Sequence, residues 1–136
     1  IQRTGAGTQG LVRCVKAETL LASSFVCAGA TVRYIKQQSP ARVTLVSTGP
    51  DGEDQACAEY IAALLRNKRP DTARLLDHAH DAGQQRIDYA LSKGLITEAQ
   101  RDEFAADLDC CRALDRFDFA MVVQRRGGLL VIETAH

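Results

Sequence analysis

The sequence predicts an α/β fold: a mainly parallel sheet built from βαβ units, with helices on both faces of the sheet and a C-terminal β-hairpin at its edge. Two short apolar runs, residues 19–23 and 43–47, show no alternation with polar residues, which is typical of strands buried on both faces of a parallel sheet. An amphipathic helical pattern lies between the two runs, as a right-handed βαβ crossover requires. The Gly127-Gly128 pair separates the two closing apolar runs and indicates a hairpin turn.

The first half of the chain predicts alternating helices and strands. Ser24 precedes apolar residues at helical spacing and is a favourable N-cap residue, and Ser39-Pro40 interrupts the pattern. The β-branched residues of the run over 43–47 favour a strand. The predicted order is a helix over residues 8–16, a strand over 19–23, a helix from Ser24 to the Ser39-Pro40 break, a strand over 43–47, and a helix that follows the loop at 48–52 and ends before Pro70.

The second half of the chain predicts helices followed by the hairpin. Thr97 and Gln100 stand at the spacing of a capping box, so a helix is expected to begin there. The predicted elements are helices over residues 72–82 and 84–93, a helix from Thr97 onward, and strands over 119–123 and 129–132. No linker is long enough to divide the chain, so the sequence predicts one domain over residues 1–136.

Composition limits the classes of function. The 136 residues carry 17 basic and 17 acidic side chains, so neither a nucleic acid nor an anionic membrane is an expected partner. Hydrophobic residues make up 46% of the chain, which is typical of a globular domain. No apolar run approaches the ~20 residues of a membrane span. The five cysteines lack C-x-x-C spacing and are expected to be reduced thiols, which indicates a cytoplasmic protein.

The start of the chain has a consequence of its own. The first residue is Ile1, and the one methionine is Met121. We therefore expect a C-terminal portion of a longer protein whose N-terminal part is missing. A two-part domain cut in this way leaves apolar surface uncovered, so self-association into a homo-oligomer is expected.

A glycine-rich turn over residues 5–10 opens the first predicted helix. It matches G-x-G-x-x-G, whose glycines let backbone N–H groups approach a phosphate beside a helix N-terminus. A nicotinamide site would need a preceding strand and an acidic residue at the end of the next strand, but that strand ends in Ser23-Ser24. The turn is therefore predicted either to bind an anion or to be a purely structural glycine turn.

Two further turns also precede predicted helices. Ser24 offers a hydroxyl at a helix start, next to the carboxyl end of a strand, and is either an ordinary helix cap or an anion contact. The loop over residues 49–54 carries three carboxylates, those of Asp51, Glu53 and Asp54. These carboxylates either complement the helix dipole or bind Mg²⁺, which prefers carboxylate oxygens together with water and substrate.

Later polar residues are weaker candidates. The predicted helix over 72–82 contains four residues of metal-ligating type, Asp77, His78, His80 and Asp81. On one helix these four do not all share a face, so a solvated polar face is the interpretation we favour. The Arg125-Arg126 pair is expected to be exposed charge before the hairpin glycines.

The three turns, taken together and in this order, resemble the 2-phosphosulfolactate phosphatase family. That family has a T-N-G-T-like turn that opens a helix, then a strand with an A-S-F-x-N turn, and then a G-x-D-G loop before an E-D-x-x-x-A helix. The matching stretches here are residues 4–10, Ala22-Ser23-Ser24-Phe25, and residues 48–54 followed by Cys57-Ala58. The segment over residues 107–118 also looks like the family's last helix and strand, so the resemblance spans most of the chain.

The resemblance implies a Mg²⁺-dependent phosphatase that releases phosphate from 2-phospho-3-sulfolactate, a small phosphorylated and sulfonated substrate. It also implies an α/β fold with two related halves and the site between them. The phosphate contacts implied are Gly5, Gly7, Thr8, Ser24 and Gly49. The catalytic residues implied are Glu53 and Asp54, and the metal ligands implied are Asp51, Glu53 and Asp54.

Departures from the family pattern define an alternative. Two of the family's asparagines are replaced by Ala6 and Cys27, and its N-terminal D-V-x-R-A motif has no counterpart here. The alternative is a non-catalytic anion-binding α/β domain that keeps the turns without the chemistry. The isolated chain is expected to be inactive, because a phosphatase needs a cation and a positioned nucleophile and part of that machinery would lie upstream.

Overall fold

The computed structural model describes residues 6–49 and 52–136. These residues form five α-helices and one small antiparallel sheet, and a short 3-10 turn (Phe25–Cys27) precedes the second helix. The helices are α1 (Gly7–Arg13), α2 (Ala28–Gln38), α3 (Gly52–Leu65), α4 (Thr72–Ser92) and α5 (Glu98–Cys111), and the strands are β1 (Leu20–Ala22), β2 (Ala120–Arg126) and β3 (Leu129–Ala135). Within the same residues, no helix is long and apolar enough to cross a lipid bilayer.

The predicted parallel sheet of βαβ units is wrong. The strands lie in the order β1-β2-β3 and pair antiparallel, with Leu21 opposite Val122 and Val123 opposite Ile132. β1 lies where the sequence predicts a strand, but its partner comes from the C-terminal end of the chain. The helices therefore do not serve as crossovers between parallel strands, and the described fold is mostly helical with a small sheet.

Residues 43–47, predicted as the second strand, belong to no strand. Val43, Leu45 and Val46 are exposed, and this run pairs with none of the described strands. A β-branched run favours an extended backbone, but a strand is stabilised by its cross-strand neighbours. The expected neighbour, β1, pairs with β2 instead.

One continuous helix, α4, replaces the two helices predicted over residues 72–82 and 84–93. The carboxylate of Asp71 caps this helix by accepting the N–H of Arg74 at 3.2 Å. Gly83 lies at the predicted break, and a Cβ atom there would lie 2.5 Å from Leu108 Cδ1. The glycine therefore allows α4 and α5 to pack closely and does not end the helix.

The C-terminal elements lie where the sequence places them. Thr97 and Gln100 form the predicted capping box at the start of α5. β2 and β3 form a hairpin whose two loop residues, Gly127 and Gly128, have φ angles of 56° and 78°, as a type I′ turn requires. β3 lies at the edge of the sheet, and β2 lies between β1 and β3.

The main hydrophobic core joins the 3-10 turn and α2 to α3 and α4. The ring of Phe25 packs edge-on against Tyr60 with 5.8 Å between the ring centroids. Leu75 of α4 is only 1% exposed at the centre of this cluster. Because burial of apolar surface is the dominant favourable term in folding, this core holds the turn before α2 against α3.

Candidate functional site

The loop before α3 is held by Asp54. Its Oδ2 atom accepts three hydrogen bonds: from the N–H of Thr48 at 2.8 Å, from the hydroxyl of Thr48 at 2.9 Å, and from the N–H of Gly49 at 2.8 Å. Burial raises the pKa of Asp54, but the three hydrogen bonds outweigh burial, so the pKa lies below its ordinary value. Asp54 is therefore an ionised carboxylate that fixes the Thr48-Gly49 turn.

The lowered pKa of Asp54 predicts a pH-dependent contribution to stability. A carboxyl with a lowered folded-state pKa stabilises the fold fully above its unfolded-state pKa of about 4, and this stabilisation is lost as the pH falls through the folded-state pKa. Asp54→Asn is expected to lower the free energy of unfolding at pH 7 by about 1 kcal/mol, because the amide oxygen accepts these bonds more weakly. The difference between the two proteins is expected to shrink as the pH falls towards 2.

Urea unfolding at several pH values measures both effects of the Asp54 substitution. Asp102→Asn is the matched control, because the carboxylate of Asp102 is exposed on α5. Equal stability of the Asp54→Asn protein and the original protein at pH 7 would contradict the role assigned to Asp54.

α1 packs against the same loop. A Cβ atom on Gly10 would lie 2.4 Å from Thr48 Cγ2, so the absence of a side chain permits this close approach. Gly7 and Thr8, two of the predicted phosphate contacts, form the first turn of the seven-residue α1. They therefore lie within one helical turn of the contact with Thr48. Gly5, a third predicted contact, lies outside the described residues.

Ser24 lies next to this region, at the start of the 3-10 turn. Its side chain makes no capping hydrogen bond, and its carbonyl oxygen accepts the N–H of Cys27 at 3.2 Å. Burial raises the pKa of the Cys57 thiol to about 12, and the negative charges of ionised Cys27 and Asp54 add to this shift. Cys57 of α3 therefore lies close both to the Ser24 turn and to the loop held by Asp54.

A C-terminal segment fastens the Ser24 turn. Asp115 accepts the N–H of Gly29 at 2.6 Å and donates its own N–H to the carbonyl oxygen of Phe25 at 3.0 Å. Asp115 has a left-handed backbone with φ 52°, a conformation that aspartate tolerates better than most residues. The carboxylate that caps the start of α2 thus comes from Asp115, although the sequence predicts Ser24 for this role.

Glu53 lies beside Asp54 on the first turn of α3. Its Oε1 atom forms an ion pair with the guanidinium of Arg86 on α4. Its Oε2 atom is buried and has no hydrogen-bond partner among the described residues. Because a buried polar atom without a partner costs free energy, such atoms in folded proteins are usually satisfied by protein, water or an ion. Glu53 Oε2 is therefore the described atom best placed to take a ligand.

A cleft of about 430 Å³ adjoins the Glu53–Arg86 pair on the side of α4. A Cβ atom at position 52 would lie 2.3 Å from Nε2 of His78, so this imidazole lies against the backbone at the start of α3. The residues that line the cleft are Gly52, His78, Asp81, Ala82, Gln85, Arg86 and Tyr89.

Sequence reasoning missed Arg86 and the place of His78. Arg86 follows Glu53 by 33 residues, and no local spacing rule joins the two. The available signal is a basic residue on one helix and an acidic residue on another, which is too common to single out a pair. Only the packing of α3 against α4 brings these side chains together.

The polar residues around position 78 do not gather into a cluster. Asp77 pairs with Arg112 at 3.2 Å, and Nδ1 of His80 lies 3.7 Å from its neighbour Asp81. In the part of the chain that the structure describes, no three His, Cys, Asp or Glu side chains are arranged to hold a metal ion.

The carboxylates predicted to bind Mg²⁺ differ in what their oxygens already contact. Mg²⁺ keeps several waters and takes one or two carboxylates together with substrate phosphate. Glu53 Oε2 fits such a ligand, because it is a carboxylate oxygen without a partner. Asp54 Oδ2 is already occupied by three donors. Asp51 lies outside the described residues.

Comparison with known proteins identifies the family. The family model described as 2-phosphosulpholactate phosphatase matches residues 1–126. A "Probable 2-phosphosulfolactate phosphatase" from Synechocystis sp. (strain ATCC 27184 / PCC 6803 / Kazusa) is 41% identical over 69 residues, which cover 48% of this chain and 29% of that relative. No solved structure matches the chain significantly. The resemblance carried by the three turns is therefore confirmed, and the chain belongs to the 2-phosphosulpholactate phosphatase family.

Proposed function

We propose that the complete protein releases phosphate from 2-phospho-3-sulfolactate, or from a closely similar small phosphate ester, with Mg²⁺ as its cofactor. Membership of the family and the relative from Synechocystis support this substrate class. Because the match to that relative covers 29% of its length, the activity is proposed for the whole protein rather than for this chain alone.

One observation carries the assignment of the site: the buried Oε2 atom of Glu53 without a hydrogen-bond partner. Arg86 holds the other carboxylate oxygen, so the ion pair fixes the orientation of Glu53. A carboxylate oriented in this way offers a hard oxygen atom at a fixed position, which is what Mg²⁺ binding requires. We therefore assign Glu53 as a metal ligand.

The other predicted residues position the phosphate in this proposal. Asp54 holds the turn that carries the N–H groups of Thr48 and Gly49, and α1 packs against that turn through Gly10. Gly7, Thr8 and Ser24 are proposed to contact the phosphate oxygens. When bound, Mg²⁺ neutralises charge on the transferring phosphoryl group. Asp54 acts on the substrate only through the loop that it holds.

A phosphate-release assay tests this proposal. The complete protein is incubated with 2-phospho-3-sulfolactate and a panel of small phosphate esters, with Mg²⁺ and with EDTA. We expect release of phosphate that depends on Mg²⁺ and is fastest with the sulfonated ester. Absence of release from every ester contradicts the proposed activity. The 136-residue chain is assayed in parallel, and it is expected to be inactive.

A second candidate, a non-catalytic anion-binding domain, rests on position 27. Cys27 is fully buried, with its thiol directed at the carbonyl oxygen of Ser24 at 3.7 Å. The family pattern has an asparagine there, so this chain lacks one polar group beside the Ser24 turn. Binding of inorganic phosphate without turnover of any ester would favour this candidate.

We also propose a cytoplasmic location. All five cysteines are free thiols, and burial raises the pKa of Cys57 and of Cys111. Thiols that stay reduced are typical of cytosolic proteins. Detection of the complete protein in the periplasmic or secreted fraction of its cells would contradict this location.

A further inference from the structure

The outer edge of β3 (Leu129–Ala135) is a row of unpaired backbone groups. In a hairpin with a two-residue loop, the residues that flank the loop, here Arg126 and Leu129, form a hydrogen-bonded pair, and such pairs then alternate along the ladder. The N–H and C=O groups of Leu130, Ile132 and Thr134 therefore point away from β2. They make no further hydrogen bond within the described residues.

This edge lacks the features that keep edge strands apart. Natural edge strands usually carry lysine, proline or a bulge, whereas β3 contains none of these and pairs with β2 without interruption. Its one charged residue, Glu133, is paired with Arg126 of β2 at 2.7 Å. Ile132 is 50% exposed and Leu129 is 63% exposed. The edge is therefore apolar, regular and open.

We propose that β3 pairs antiparallel with β3 of a second copy of this chain, about a two-fold axis at Ile132. This register places Leu130 opposite Thr134 of the second copy and Ile132 opposite itself, so the outward backbone groups of both strands are satisfied. The three-stranded sheets of the two copies become one continuous sheet. A two-fold contact of this kind requires a self-complementary surface, and a single regular edge strand supplies one.

Charge favours a second copy as the partner. In the proposed register Glu133 lies opposite Val131 of the second copy, so no like charges meet across the contact. The chain has zero formal net charge, so two copies do not repel each other at long range. β3 begins after residue 126, where the family match ends, so this inference does not depend on the proposed function.

A pair of substitutions at Val131 tests the register. Val131→Glu places two glutamates opposite each other at both ends of the contact, and Val131→Lys places a lysine opposite Glu133 at the same two points. Both changes remove the same exposed apolar side chain. We expect the original chain and the Val131→Lys chain to form dimers, and we expect the dissociation constant of the Val131→Glu dimer to rise by about tenfold.

Sedimentation equilibrium from 1 to 300 μM (concentrations on the order of those used for weak dimers) measures the dissociation constants, and circular dichroism checks that each variant folds. A third variant, Ile132→Pro, removes an outward N–H group and leaves the ladder to β2 intact, so a monomer is expected. The inference is overturned if the original chain is a monomer throughout this range. It is equally overturned if the two Val131 variants dissociate to the same extent, or if Ile132→Pro remains associated.

Discussion

Glu53→Gln in the complete protein is expected to lower Mg²⁺-dependent phosphate release by about a hundredfold. The substitution keeps the size of the side chain and removes its charge, so the buried Oε2 position no longer offers a carboxylate oxygen to a cation. It also removes the ion pair with Arg86 that orients the side chain. The rate of phosphate release, measured over a range of Mg²⁺ concentrations, gives both the maximal rate and the Mg²⁺ concentration at half-saturation.

Glu59→Gln is the matched control for this substitution. Glu59 also lies on α3 and also pairs with an arginine of α4, Arg74, but it lies away from the loop held by Asp54. It is expected to leave the rate of phosphate release unchanged within about twofold, since exposed ion pairs contribute little. If the Glu53→Gln protein folds and keeps more than half of the original rate, Glu53 does not bind the metal.

Leu75→Ala is expected to lower the free energy of unfolding by about 3 kcal/mol. Leu75 is 1% exposed in the cluster that joins the 3-10 turn, α2, α3 and α4, so truncation leaves a cavity that its neighbours fill only in part. Such a loss is a large fraction of the stability of an ordinary domain. Urea denaturation followed by circular dichroism measures it.

Leu95→Ala is the control for the core substitution. Leu95 is 70% exposed, so the same change of side chain there is expected to alter the free energy of unfolding by less than about 0.5 kcal/mol. A loss below about 1 kcal/mol for Leu75→Ala would mean that this leucine does not anchor the core.

Local patterns predicted those elements that depend on neighbours in sequence. The capping box of Thr97 and Gln100 and the Gly127-Gly128 hairpin turn each need only a few adjacent residues, and both are present. The run over residues 43–47 has the local character of a strand, but a strand needs a partner, and no local pattern specifies one. Gly83 was expected to end a helix, yet it lies inside α4, because the space beside it is needed by Leu108 of α5.

The candidate site divides along the same line. The order of the three turns was sufficient to predict the family, since each turn is a short contiguous motif. The three hydrogen bonds of Asp54 lie within six residues, which is the range of ordinary loop capping. The pairing of Glu53 with Arg86 and the contact of His78 with Gly52 depend on the packing of two helices, and their residues are far apart in sequence. Sequence spacing carries no information about such contacts.

The pairing of β1 with β2 has a consequence for the order of folding. Leu21 lies opposite Val122, so about a hundred residues must be brought into a closed loop before the two strands meet. The contacts of α2 with α3, of α3 with α4 and of α4 with α5 join neighbouring helices and form without such a loop. We therefore expect the helices to assemble first and β1 to be the last segment to find its partner. During synthesis on the ribosome, β1 would stay unpaired until nearly the whole of this chain has emerged.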